Sequence, residues 1–166
     1  MKQISIVHEF ACTEDRFWRI FFDPEYLAEV YRDALKVADL KVVELKETEA
    51  EIRRTITGRP QLKLPAAAQK LVGDRVSFTE EGRFDRSAKV WRFSFTTSTF
   101  GDKVKSSGTI RLEPTAKGVR RVADITVEAK IFGVSGMIEG QMDTSMRESY
   151  GAGAAFLTAW LARHPE

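Results

Sequence analysis

The 166-residue chain predicts an α+β fold with seven antiparallel strands, two short helices between the first and second strands, and one long C-terminal helix. Three observations lead to it. Apolar and polar residues alternate at the start of the chain and again almost continuously after Leu35, which is the period of half-buried strands. Short turn-forming stretches separate these runs, as in Asp85-Arg86-Ser87-Ala88, Gly101-Asp102 and Thr115-Ala116-Lys117-Gly118, and joins this short imply an antiparallel meander. Helical spacing is confined to residues 13–35 and 134–162.

In the first strand, residues 4–10, Ile4, Ile6 and Phe10 alternate with Ser5 and Glu9, while Val7 and His8 interrupt the pattern. Thr13 is a suitable N-cap for a helix carrying Phe17, Ile20 and Phe21, which Asp23-Pro24 ends. A second short helix follows with Tyr26, Leu27, Val30, Tyr31 and Leu35, so the two make a bent arm. Strands are then predicted over residues 40–45, 52–57, 76–84, 90–99, 104–112 and 119–132. On the last helix Ile138, Met142, Ser145, Ser149, Ala152, Phe156 and Trp160 recur at helical spacing and define the expected core-facing stripe. The connection 58–74 is too long for a hairpin and carries Leu62, Leu64, Leu71 and Val72. It reads either as a lid over a binding site or as a short helix that plugs one end of the sheet.

Length predicts a single domain over residues 1–166, with roughly 70% of the chain's surface available for burial. Lys and Arg number 26 against 24 Asp and Glu, a net charge of +2, so no nucleic-acid partner is expected. The aromatic-basic run Lys89-Val90-Trp91-Arg92-Phe93 reads as strand rather than as a base-stacking surface. One cysteine, Cys12, and two histidines predict no disulfide and no metal site. The N-terminal run is too polar for a signal peptide, and no stretch is apolar enough to span a membrane, so a cytoplasmic protein is expected. Gly133-Val134-Ser135-Gly136-Met137 misses the nucleophile elbow at its last glycine, and Gly151-Ala152-Gly153 falls within a helix rather than after a strand. No catalytic residue and no cofactor is assigned.

Four ionisable residues fall in phase with apolar neighbours on strands: His8, Arg54, Glu80 and Arg121. If they point inward, each needs a partner or a polar ligand group; otherwise each sits where the sheet face meets water. The middle of the expected stripe on the last helix is small, at Ser145, Ser149 and Ala152, with bulkier Met142 and Phe156 to either side. Small side chains there leave room over the sheet, unless Trp91, Phe93 and Phe95 fill it and make the core solid.

The order of strand, two short helices, six strands and long helix resembles the START-like helix-grip fold of the Bet v 1-like or SRPBCC superfamily, in an uncharacterised bacterial branch. The resemblance rests on the opening strand 4–10, the helix 13–22 with Asp23-Pro24, the region from Glu80 to Trp91, and the closing helix. The Leu64-Pro65 to Gly73 connection, followed by Glu80 and Asp85, is similar to the lid region of PRELI-type phospholipid carriers. What this implies is a curved sheet wrapped around the long helix, and a cavity between them for a hydrophobic small molecule or lipid. The lid adds transient contact with a membrane, and the oligomeric state is left open. Binding or transport without catalysis is the first expectation. The alternative is a cyclase or hydrolase using one or two acid-base residues from His8, Arg54 and Glu80, favoured if at least two of these side chains meet within hydrogen-bond reach at the cavity wall. A third reading is an interaction module like the START-like chaperone activators.

Overall fold

A computed structural model describes residues 1–61 and 76–166. The expected lid residues Leu62, Leu64, Leu71 and Val72, and with them the choice between lid and plug, lie outside the described residues.

The chain opens with β1 (Lys2–Phe10). Thr13 caps α1 (Glu14–Phe21), its hydroxyl accepting a hydrogen bond from the Arg16 amide at 3.2 Å, and Glu14 and Asp15 sit at the positive end of the helix dipole. Asp23 caps α2 (Pro24–Glu29) by accepting from the Tyr26 amide at 2.9 Å, with Pro24 in the first turn where its missing N–H costs nothing. The second helix predicted to reach Leu35 is therefore α-helical only to Glu29. Its continuation, Val30–Ala34, is a π-helical turn, and Tyr31 within it stacks on Phe78 of the sheet with ring centroids 6.3 Å apart.

The six remaining strands are β2 (Val37–Glu47), β3 (Glu51–Pro60), β4 (Phe78–Asp85), β5 (Val90–Thr97), β6 (Val104–Thr115) and β7 (Gly118–Ala129). All pairs are antiparallel, in the order β1-β7-β6-β5-β4-β3-β2, so the first strand closes onto the last and β2 forms the far edge. The curved seven-stranded sheet and its long helix, α3 (Ser135–Arg163), are the expected helix-grip architecture. Strand register sets which inward side chains lie side by side. One row across the sheet runs Arg54, Gly82, Phe93, Gly108, Ile125 and Ile4, and the next runs Ile52, Phe84, Trp91, Ile110, Ala123 and Ile6.

The inner face carries the core. Phe17 and Trp18 of α1 are buried against Phe10, Phe84 and Trp91, and Phe21 and Phe22 meet the Trp91 ring edge-on at 5.5 and 5.7 Å. Each such aromatic contributes about 1.5–3 kcal/mol through removal from water. With 29 residues, α3 is about 43 Å long; it packs on β7, β1 and the π turn. Its core-facing side differs from the predicted stripe. Ala154, Leu157 and Trp160 are buried, and Met142, Met146 and Tyr150 pack beside them, whereas Ser145 and Ser149 are exposed. The helix is rotated by about one residue from the expected facing. Small and apolar residues occur on all its sides, so spacing alone leaves the facing ambiguous.

Candidate functional site

A cavity of about 160 Å³ lies between the inner sheet face, the α1–α2–π-turn arm and the middle of α3. Its walls are mainly apolar, from residues such as Phe17, Phe21, Leu27, Trp91, Ile110 and Leu157. The polar groups reaching it are Tyr26, Tyr31, Arg54, Glu80, Arg121 and Tyr150. A wider depression elsewhere, at Glu47, Thr48, Glu49 and Arg86, is bounded only by exposed polar residues and offers no apolar wall.

Arg54 sits on β3 and Glu80 on the neighbouring β4, on the same face and one diagonal step apart in register. The Arg54 Nη2 stands 3.6 Å from Glu80 Oε1, with the two side chains only 5% and 15% exposed. Arg54 also donates through Nη1 to the Phe21 carbonyl at 3.1 Å, and its guanidinium lies 5.0 Å from the ring centroids of both Phe21 and Trp91. Burial pushes the Glu80 carboxyl above its ordinary range, against the opposing pull of Arg54 and of the Tyr31 hydroxyl. Tyr31 is in turn driven well above its ordinary value by burial and by the nearby Glu80 charge.

Arg121 lies on β7, directly opposite His8 on β1. Its Nη2 donates to His8 Nδ1 at 2.9 Å and to the Tyr150 carbonyl at 3.3 Å. The guanidinium covers the rings of Tyr150 and Phe10 at 4.9 and 5.3 Å. Burial, then the Arg121 charge, hold His8 below its ordinary value, so the imidazole is neutral and accepts at Nδ1. Burial and Arg121 act against each other on Tyr26, whose hydroxyl is raised to about 12.

Thus Arg54, Glu80 and Arg121 are brought to the cavity wall, and His8 stands behind Arg121. Trp91 and Phe93 line the cavity too, whereas Phe95 stacks on Phe78 at 5.0 Å in a second cluster with Leu27 and Ile56. On α3, Ser149 reaches the rim. Ser145 faces solvent, Ala152 is half-buried away from the cavity, Met142 packs in the main core, and Phe156 packs against Tyr26 at 5.9 Å. Tyr26, Tyr31, Tyr150 and Gly153 are lining residues absent from the sequence-based candidates. Their signal was present in the chain: Tyr150 and Gly153 share a helical face with Leu157, and Tyr26 and Tyr31 fall in the apolar arm. A Cβ on Gly153 would meet nothing within 4 Å, so this glycine leaves part of the cavity open. Among the described residues no group of His, Cys, Asp and Glu could hold a metal ion, and no helix is long and apolar enough to cross a membrane.

Solved structures share this architecture at low identity. Norcoclaurine synthase from Thalictrum flavum is similar with a TM-score of 0.64 and 17% identity, over 98% of this chain and 87% of that one. A protein of Thermus thermophilus is similar with a TM-score of 0.62 and 19% identity, over 95% and 98% of the two chains. The di-domain ARO/CYC BexL of the BE-7585A biosynthetic pathway is similar with a TM-score of 0.60 and 20% identity, over 99% of this chain and 48% of that one. These likenesses establish the fold. No functionally curated protein matches the sequence. The family model described as Protein of unknown function (DUF2505) matches residues 5–161, and the chain belongs to that family.

Proposed function

We propose that this chain is a START-like binder of a small, mainly apolar molecule, held in the cavity between sheet, arm and α3. The observation that supports it is the cavity itself: an apolar enclosure with a few convergent polar groups is the usual form of a small-molecule site. A volume of about 160 Å³ accommodates one aromatic ring or a short acyl chain rather than a two-chain lipid, since apolar cavities of about 150 Å³ take up benzene. Toluene is the test probe. Its addition should shift the methyl resonances of Ile110 and Leu157, which face the cavity. Gly153→Leu should abolish those shifts by filling the space, while leaving stability unchanged or raised by up to about 1 kcal/mol from the better helix former. Absence of any methyl shift at saturating toluene in the unaltered protein overturns the reading.

Glu80 supports a second reading. Its carboxyl, displaced upward by burial and flanked by Arg54 and Tyr31, is suited to moving a proton at the cavity wall, which is what a cyclase-type enzyme requires. Acetophenone, a one-ring ketone, should then exchange its α-protons with D₂O faster than in buffer. Glu80→Gln should lose about a hundredfold of that acceleration. No acceleration by the unaltered protein removes this reading and leaves binding alone.

A further inference from the structure

Among the described residues the cavity holds two guanidinium groups and one carboxylate, and the charges are distributed unevenly. Arg54 is neutralised by Glu80 at 3.6 Å and further held by the Phe21 carbonyl and two aromatic faces. Arg121 has no carboxylate within 4.0 Å among the described residues. Its two hydrogen-bond acceptors are uncharged, an imidazole nitrogen and a main-chain carbonyl, and its buried Nε–H, like that of Arg54, has no acceptor among the described residues. A guanidinium stays protonated in proteins, so among the described residues the wall formed by β7 and α3 carries one positive charge with no carboxylate beside it, against mainly apolar surroundings. Leaving a cation so placed without a counter-ion is costly, and a buried donor without an acceptor adds to that cost.

We propose that Arg121 is the anchor for a carboxylate on the ligand, so that the molecule bound is a small monoacid with an apolar body. The inference rests on the binding function proposed above and narrows it to one ligand class. One net positive charge matches a single carboxylate, whereas a phosphate monoester would bring an excess of negative charge. The planar fork of the guanidinium suits a carboxylate, and the neighbouring Phe10 and Tyr150 rings hold it in place. His8, kept neutral, accepts from Nη2 without supplying the missing charge, and so positions the fork rather than satisfying it.

Three probes separate the outcomes: phenylacetate, its uncharged amide, and octanoate, which carries the same carboxylate on an acyl chain. At least one acid should bind about ten- to a hundredfold more tightly than the amide, the range of a charge-assisted hydrogen bond. The better of the two acids identifies the apolar body as ring or chain. Arg121→Gln should erase the preference, and Arg120→Gln, which removes an outward-facing charge on the same strand, should keep it. Because Arg121→Gln could disturb folding, the unaltered protein supplies a second readout: the Arg121 Nε–H resonance should shift with the acid and not with the amide. Equal affinity for acid and amide, or a preference that survives Arg121→Gln in a folded protein, overturns the anchor while leaving the cavity binder standing. Failure of all three probes and of toluene overturns both.

Discussion

His8 shows how a single residue couples this site to pH. Its folded-state pKa lies below the ordinary 6.5, through burial first and the Arg121 charge second. The unfolded chain therefore binds a proton more readily than the folded one between 6.5 and the lower folded value, and stability falls as pH drops through that window. Glu80 runs in the opposite sense. Its pKa is raised above the ordinary 4.5, so the folded chain takes up that proton first, and the stability this brings is present at low pH and lost as pH rises through the folded value. Melting temperatures measured from pH 8 to pH 5 should accordingly show an acid-side decline below about 6.5 that His8→Gln reduces. An unchanged decline in His8→Gln would mean that other groups set the acid limit.

Among the elements, β4 and β5 show how closely the sheet face is fitted to its aromatic cover. The inward positions of β4 are Phe78, Glu80, Gly82 and Phe84, and the Trp91 indole from β5 lies across the gap that Gly82 leaves. A Cβ at residue 82 would overlap that ring, which is 1% exposed, so the indole would have to shift. Gly82→Ala should therefore destabilise the protein by about 1–3 kcal/mol or more, read from denaturant unfolding, with a change in Trp91 emission. Stability within about 0.5 kcal/mol of the original would show that Trp91 is free to move. The same displacement would disturb Arg54, which rests on the Trp91 face, and thereby the ion pair with Glu80.

At the scale of the whole molecule, the sheet remains open, with β1 and β2 as its two edges. The β2 edge is interrupted by two irregularities, at 38–41 and 42–44, which disturb a straight pairing edge and offset the exposure of Val42, Val43 and Leu45. Near the other edge, α3 covers β7 and β1. The cavity forms where α3 and the arm meet over the middle of the sheet and Gly153 leaves the interface unfilled. Much of this was legible in the chain. Alternation marked all seven strands, and the Thr13 and Asp23-Pro24 signals placed both short helices. The two-residue strand period put Arg54, Glu80 and Arg121 in phase with apolar neighbours, but it left open whether each points inward or sits where the sheet face meets water. The π turn was not legible, because Val30, Tyr31 and Ala34 fit an α-helical pattern equally well.

What the sequence determined by itself is therefore what local period and capping carry: the order of elements, their antiparallel joins, and which residues of a strand share one face. Tertiary structure decided what depends on distance between elements far apart in the chain. The rotation of α3, which places Tyr150 and Gly153 over the sheet instead of Ser145, is set by packing against β7 and β1. Strand register pairs Arg54 with Glu80 and, among the described residues, gives Arg121 a neutral imidazole and a main-chain carbonyl as acceptors. The physical reason is that periodicity fixes direction within one element, whereas charge compensation depends on separations of a few ångströms between several, and Coulomb energy and desolvation both vary steeply over that range.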